Sequence, residues 1–396
     1  MRKRVAALIV LLAAAGAPAP AAAVELQPGV EWTPLLRERG PVRINVLEVD
    51  PAGVRGVLSN EKVAGRERVS AMGRRVHAVA GVNGSYFAAS GDPVGVVAIN
   101  GQLLSEPLDG RSALVVTEGR ASVAPVRFRG SVSINGRSRA IDGVNRVRGL
   151  IPACGGRGGD LPTTRPNPVL TCTDSSELVL LSPRYGARPP REGGVEAVVR
   201  GGRVAAVRAP GTGPVPRDGL LLTGTGDAAR FLRNAALPRS RVEVRLRLTA
   251  GGRALETAPF APPPGDLAEP TVVVGAGPRL VRAGRVAVSA RAEGFAPPQA
   301  PGFFGDFVAS RQPRTLAGVR EDGTLLLVTV DGRRPGWSVG MTLPEAARLM
   351  RSLGARDALN LDGGGSSAMT VRGELVNRPS DRVGERPVSN GLFVLP

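Results

Sequence analysis

The sequence predicts an α+β fold: a strand-rich mixed sheet with a βαβ unit near the C-terminus that carries the candidate active-site loops. Three observations point there. Short apolar runs alternate with glycine-containing turns over most of the chain. One strong helical pattern, TLPEAARLMRSLG, lies between two apolar strands near the C-terminus. The 396 residues are 42% apolar and 22% charged, which is enough for a sizeable core and argues against wholesale disorder.

At the N-terminus, Arg2, Lys3 and Arg4 precede an apolar run (5–15) and a stretch of small residues and prolines (17–23). This is the order of a secretory signal peptide, residues 1–23, with cleavage expected after Ala23. The apolar run is short of the roughly 20 residues that a bilayer span needs; an uncleaved anchor is the alternative. Residues 24–77 read as lead-in strands and 78–396 as the main domain. The processed chain is expected to be secreted, without stable membrane insertion.

The strands follow. VRINVLEVD, GVVAINGQLL, SALVVTEGRASV and SVSINGRSR are β-type runs. Asn100-Gly101, Glu118-Gly119 and Asn135-Gly136 fall between such runs, where hairpin turns belong. ELVLLS, VEAVVRGGRVAAV and RVEVRLRL continue the pattern. Asp227 to Ala236 reads as a second, weaker helix. Cys154 and Cys172 flank a Gly/Pro/Thr-rich loop, and in an oxidising compartment one disulfide across it is expected. A catalytic or metal role is the alternative for these two cysteines. The Pro-rich segment 258–270 is either a linker between two lobes or an ordered surface loop.

In the C-terminal helix, Thr342 is the expected N-cap and Glu345 completes a capping box. Leu343, Ala346, Met350 and Leu353 share one face, and Gly354 stops the helix. TLLLVTV before it ends at Asp331-Gly332-Arg333, and ALNL after it ends at Asp362 and three glycines. Strand, helix, strand predicts parallel strands, either neighbours or one strand apart. Asp331 and Asp362 then sit past strand ends on one edge, roughly 5–10 Å apart. Paired carboxylates at that range suit glycosidic bond hydrolysis. Gly363, Gly364 and Gly365 would let a ligand approach the backbone, as an anion-binding nest, with Ser366 and Ser367 adding donors. A tight turn with a solvated aspartate is the plainer alternative.

Composition narrows the chemistry. Lys and Arg total 52 against 34 Asp and Glu, a net charge of +18, nearly all of it arginine. High-GC codon bias accounts for much of this; a basic surface for polyanions is the functional alternative. Aromatics are 3%, too few for a stacking platform on single-stranded nucleic acid, and no nucleic-acid partner is expected. One histidine excludes a multi-histidine zinc site, and two cysteines exclude an iron–sulfur cluster. His77 itself reads as a partly buried structural residue rather than a catalytic base. Asn83, Tyr86 and Phe87, between glycines, fit a sugar-binding loop or an ordinary turn with a buried aromatic. Arg314, Arg333 and Arg378 are candidate phosphate clamps, because guanidinium forks match phosphate oxygens.

VNGSYF with GDPVGVVAINGQLL, RQPRTLAGVREDGTLLLVTVDGR, GMTLPEAARLM, ALNLDGGGSSAM and LVNRPSDRVGERPVSNGLFV together resemble the phosphodiester glycosidase family. The motifs run in family order from about residue 78 to 395, with a looser middle at 130–265. The resemblance implies an α+β domain that hydrolyses a sugar-1-phosphodiester of the N-acetylglucosamine type. The products would be the sugar and a phosphomonoester, and the substrate a phosphate-containing glycan of cell wall or exopolysaccharide. It places Asn83, Tyr86, Phe87, Arg314, Thr315, Asp331, Gly332, Arg333, Asp362, Gly363, Gly364, Gly365, Ser366, Ser367, Asn377, Arg378 and Asp381 in or near the site. Ser85 and Ala368 depart from common family residues by small changes. Asp362 and Asp331 are the expected catalytic pair. This chemistry points to no particular cofactor, and an aspartate holding a divalent cation such as calcium is an equal alternative. The competing functions are a non-catalytic, polyanion-binding wall protein and an exopolysaccharide hydrolase acting on non-phosphate bonds.

Overall fold

The computed structural model describes residues 22–38, 40–108, 110–152, 161–162, 171–191, 193–255, 257, 271–297 and 300–396. Most of the predicted signal peptide, Cys154 and the Pro-rich segment 258–270 lie outside the described residues. Cys172 is buried in the short strand Thr171–Thr173. No helix among the described residues is long and apolar enough to cross a membrane.

The architecture is strand-rich α+β. The sheet that positions the site has eight strands: Val24–Gln27, Val30–Arg37, Val42–Val49, Leu325–Val330, Arg314–Arg320, Ala355–Asn360, Arg279–Arg282 and Arg285–Val286, in that spatial order. Strand Leu325–Val330 is buried throughout, and apolar but for Thr329, because both of its faces are covered. Leu325 and Leu327 join Val82, Met369 and Leu392 in one core. Leu326, Val328 and Val330 point the other way and meet Leu343, Ala346 and Met350 of the helix Leu343–Ser352. The capping box forms, with Glu345 N donating to Thr342 Oγ1 (3.2 Å) and Thr342 N to Glu345 Oε2 (3.0 Å).

The strands on either side of that helix in sequence are not hydrogen-bonded to each other. Arg314–Arg320 lies between them and is antiparallel to both. It forms a tight hairpin with Leu325–Val330, closed where Thr324 N donates to Asp322 Oδ1 (2.9 Å). That local pairing inserts an antiparallel strand, so a βαβ unit with a direct parallel ladder is not formed. Asp331 and Asp362 nevertheless follow strands running the same way. Arg314, opposite Val330 in register, begins the intervening strand at that same edge.

The second sheet covers the first. It runs Glu374–Leu375, Met369–Val371, Ala80–Asn83, Asn390–Val394 and Val54–Leu58. Strand Val42–Val49, from the segment read as lead-in, pairs with Leu325–Val330, so this segment is woven into the C-terminal sheets. The three predicted hairpin turns are present. Asn100, Glu118 and Asn135, with the glycine after each, all have positive φ, as a turn matched to strand twist requires. The weaker helix spans Gly226–Ala235. His77 is exposed, not partly buried: the helix Val69–Arg75 ends just before it and the chain reverses through it at φ 52°.

Candidate active site

Four stretches of chain meet at the sheet edge: 83–87, 312–315, 331–338 and 360–386. Asn83 ties three of them together. Its Nδ2 donates to the Asp362 carbonyl (2.7 Å), and its Oδ1 accepts from Thr315 Oγ1 (2.7 Å) and Ala368 N (3.1 Å). Asn83 and Thr315 are both buried. Their polar atoms brace the glycine loop from beneath.

Asp331 is buried, and its carboxylate is fully engaged by the protein. Oδ1 accepts from Asn377 Nδ2 (3.1 Å), Oδ2 from Trp337 Nε1 (3.1 Å), and both oxygens accept from Arg378 N (3.1 Å). Asn377 also donates to the Ser367 carbonyl (3.0 Å) and accepts from Met369 N (2.8 Å). Trp337 is packed by arginines, with Arg43 Cζ 3.8 Å and Arg378 Cζ 5.4 Å from its ring centroid. The Arg378 side chain is exposed.

Asp362 is different. Its nearest backbone donor is Gly363 N (2.9 Å to Oδ1), and Ser366 supplies a side-chain hydrogen bond. Burial pushes its carboxyl up to about 6, opposed by the Ser366 bond and the Arg386 charge. Arg386 grips Asp381 through two bonds (2.7 and 3.0 Å) and reaches Ser366 Oγ with Nη1 (3.3 Å). This pair packs directly on Gly365: a Cβ there would lie 2.0 Å from Asp381 Oδ1.

The loop is not the open nest that its glycines suggest. Gly363 N donates to Asp362, Gly364 N to the Pro313 carbonyl (2.9 Å), Ser366 N to Gly363 O (3.1 Å) and Ser367 N to Gly364 O (3.3 Å). Ser367 Oγ is buried and has no partner among the described residues. The positive charge comes instead from arginines. Arg333, at φ 58°, donates to Gln312 Oε1 and lays its guanidinium over Gly364. Arg314 is 2% exposed; Nε donates to Met341 O (2.9 Å) and Nη2 to Phe307 O (2.8 Å) and Ser310 O (3.1 Å). Its acceptors are neutral, so burial lowers it to about 10, with Tyr86 and Arg333 as smaller influences of opposite sign.

Tyr86 hydroxyl donates to Gly277 O (2.7 Å) and accepts from Asn360 Nδ2 (2.7 Å); burial first and the Asp362 charge second hold its pKa above the usual phenol range. Phe87 packs instead on the cluster containing Val69, Met72 and Phe393. Among the described residues, no group of three or more His, Cys, Asp or Glu converges on a metal position.

Sequence reasoning named Asp381 but not its partner Arg386, although GERPVSNG was in view. It also passed over Trp337, one of only two tryptophans in the chain. The rarity of tryptophan just after a strand-end aspartate was the available signal. Gln312 and Arg43 carry no such signal.

A family model described as phosphodiester glycosidase matches residues 193–395, just over half of the chain. A candidate exported protein of Burkholderia pseudomallei K96243, known by crystal structure, is 35% identical, with a TM-score of 0.78 over 90% of this chain and 74% of that one. A prophage-derived uncharacterized protein of Bacillus subtilis is 43% identical over 84 residues, 21% of this chain and 13% of that protein. N-acetylglucosamine-1-phosphodiester alpha-N-acetylglucosaminidase of Mus musculus is 37% identical over 83 residues, 21% of this chain and 16% of that enzyme. The matched segments thus span less than a fifth of either curated relative.

Proposed function

The chain belongs to the phosphodiester glycosidase family, and from that premise we propose that it hydrolyses a sugar-1-phosphodiester of the N-acetylglucosamine type, releasing the sugar and a phosphomonoester. The observation that carries this reading is the contrast around Asp362. A carboxylate with few bonding partners of its own, raised to about 6 and within reach of the Arg386 charge, lies in a loop bordered by Arg314 and Arg333, whose anchors are neutral.

In the proposed reaction the bond between the anomeric carbon and the phosphate oxygen breaks, and its electron pair leaves with the phosphate. A phosphomonoester is a stable anion, so the leaving group needs charge stabilisation more than a proton. Arg314 and Arg333 supply that charge. Asp362, ionised, faces the positive charge that develops on the sugar and acts as stabiliser, nucleophile or water-activating base. Asp331 takes a different part: with every oxygen bonded to protein donors, it positions Asn377 against the glycine loop and fixes the Arg378 backbone.

We place the substrate outside the cell, on a phosphate-containing glycan of wall or exopolysaccharide, because residues 1–23 have the signal-peptide order. A Cys154–Cys172 disulfide belongs to the same reading.

The test is turnover of an N-acetylglucosamine-1-phosphodiester by residues 24–396, followed by phosphorus NMR, with Asp362→Asn alongside. A phosphomonoester signal in the parent and none in the variant is expected. A chelator arm reports whether a divalent cation takes part. Equal turnover by the variant removes Asp362 from the chemistry, and no turnover on any sugar-1-phosphodiester removes the reading.

A further inference from the structure

Resting on the reading above, we infer that Arg111 is a further substrate-binding residue: together with Arg314 it holds the phosphate of the diester across the Tyr86 side of the site.

Arg111 lies outside every motif discussed so far, immediately before the strand Ser112–Thr117. Its Nε donates to the backbone carbonyl of Glu293 (3.0 Å), and its guanidinium sits 4.2 Å above the centroid of Phe295. Phe295 stacks on Phe307 (centroids 5.0 Å, 9°), and Arg314 Cζ lies 5.6 Å from Phe307. Tyr86 meets both rings at a steep angle, at 6.0 and 6.3 Å. The two guanidiniums therefore border one aromatic cluster, and the charges of Arg111, Arg314 and Asp362 all reach the Tyr86 hydroxyl.

The neutrality of the anchors matters most. Among the described residues, two buried arginines are paired with acids: Arg146 with Glu106 and Glu177, and Arg279 with Asp357. Arg111 and Arg314 have no carboxylate within ion-pair distance among the described residues. The nearby Glu293 carboxylate is spent on Ser112 N, Ser112 Oγ, Arg279 N and Ser289 Oγ. Carbonyl acceptors fix the direction of a guanidinium without cancelling its charge. Aromatic rings at its face keep water away and strengthen its pull on an anion. Burial also holds Arg111 below the usual arginine range, against smaller opposing influences of Tyr86 and the Glu293 charge. In Arg314, Nε and Nη2 are already used, so Nη1 is left for a ligand. That single nitrogen, with its two N–H groups, cannot fork across both free oxygens of a phosphodiester as a pair of guanidinium nitrogens does. A second unpaired guanidinium beside the same cluster supplies the missing donors.

The experiment compares Arg111→Gln and Arg111→Lys with the parent in the full mature chain. It measures KM and kcat on the sugar-1-phosphodiester, and separately the affinity for inorganic phosphate by competitive inhibition and by thermal shift without substrate. Arg111→Gln should raise KM and weaken phosphate about tenfold each, with kcat within about twofold. Arg111→Lys, which keeps the charge but not the fork, should fall between. A folded Arg111→Gln with unchanged KM and phosphate affinity overturns the inference and leaves the proposed reaction standing. If Arg111→Gln does not fold, an Arg111→Lys protein indistinguishable from the parent overturns it equally. A protein that turns over no sugar-1-phosphodiester but binds phosphate through Arg111 sinks the reaction and keeps the anion site.

Discussion

Asn377 donates one side-chain N–H to Asp331 Oδ1 at 3.1 Å and another to the Ser367 carbonyl at 3.0 Å. One amide thus ties the loop after the first site strand to the glycine loop after the second. Asp331→Ala should strand Trp337 Nε1, Arg378 N and one of the two Asn377 Nδ2 N–H groups without an acceptor. The expected cost is about 3 kcal/mol, read as a lower urea midpoint, with activity reduced rather than abolished. Abolished kcat at undiminished stability would move Asp331 from positioning to chemistry.

Asp362 makes opposite demands on activity and stability. The ionised form is the one proposed to act, so kcat/KM should rise with pH through a limb near 6. A limb that falls over the same interval would make Asp362 a general acid instead.

Its stability effect follows by linkage. A carboxyl raised in the folded state from the ordinary 3.8 to about 6 holds a proton that the unfolded chain has released. The associated stability is fully present below about pH 4 and is lost as pH rises through about 6. Asp362→Asn should therefore stabilise the protein at pH 8 by about 2 kcal/mol, allowing for solvent screening, and not at pH 3. Equal denaturation midpoints for parent and variant at both pH values would contradict the raised carboxyl.

Gly365→Ala tests the Asp381–Arg386 clasp. The new methyl would lie 2.0 Å from Asp381 Oδ1 and 2.3 Å from Arg386 Nη2, so the pair must part. Arg386 lowers the Asp362 carboxyl, so its displacement should shift the pH limb upward and reduce kcat/KM most at pH values on that limb. A pH profile superimposable on the parent's would show that the clasp does not reach Asp362.

Arg333→Gln probes the exposed end of the site. The side chain has one neutral protein acceptor, Gln312, and should raise KM about tenfold while leaving the melting temperature unchanged. An unchanged KM would take Arg333 out of substrate binding.

Local features of the fold could be read from the chain because their causes are local. Asn-Gly turns, the Thr342–Glu345 capping box and the doubly covered run before Asp331 each follow from neighbouring residues. The order of strands could not. Arg314–Arg320 slips between two strands because of a hairpin whose partner choice depends on the whole sheet. In the site, Asp362 and its glycines were legible as a motif, but their use was not. Four of the loop N–H groups looked free and are spent on Asp362, Pro313, Gly363 and Gly364. Asn83 has the residue type of a sugar ligand and serves as a brace, since Asp362 and Thr315, its partners, are far along the chain. Arg386 and Trp337 matter through contacts that no local pattern encodes.

Strand Ala80–Asn83 is held between Met369–Val371 and Asn390–Val394, the former a few residues beyond the glycine loop. The central strand of this sheet is thus made early and its partners last. A chain still being synthesised has Asn83 but nothing for it to brace, and no enclosed Asp362. Asn83 and the Asp362 loop come together only when these sequence-distant strands close on each other, a class of contact that forms slowly. Completion of the proposed site therefore waits on strands far along the chain from the residue that braces it.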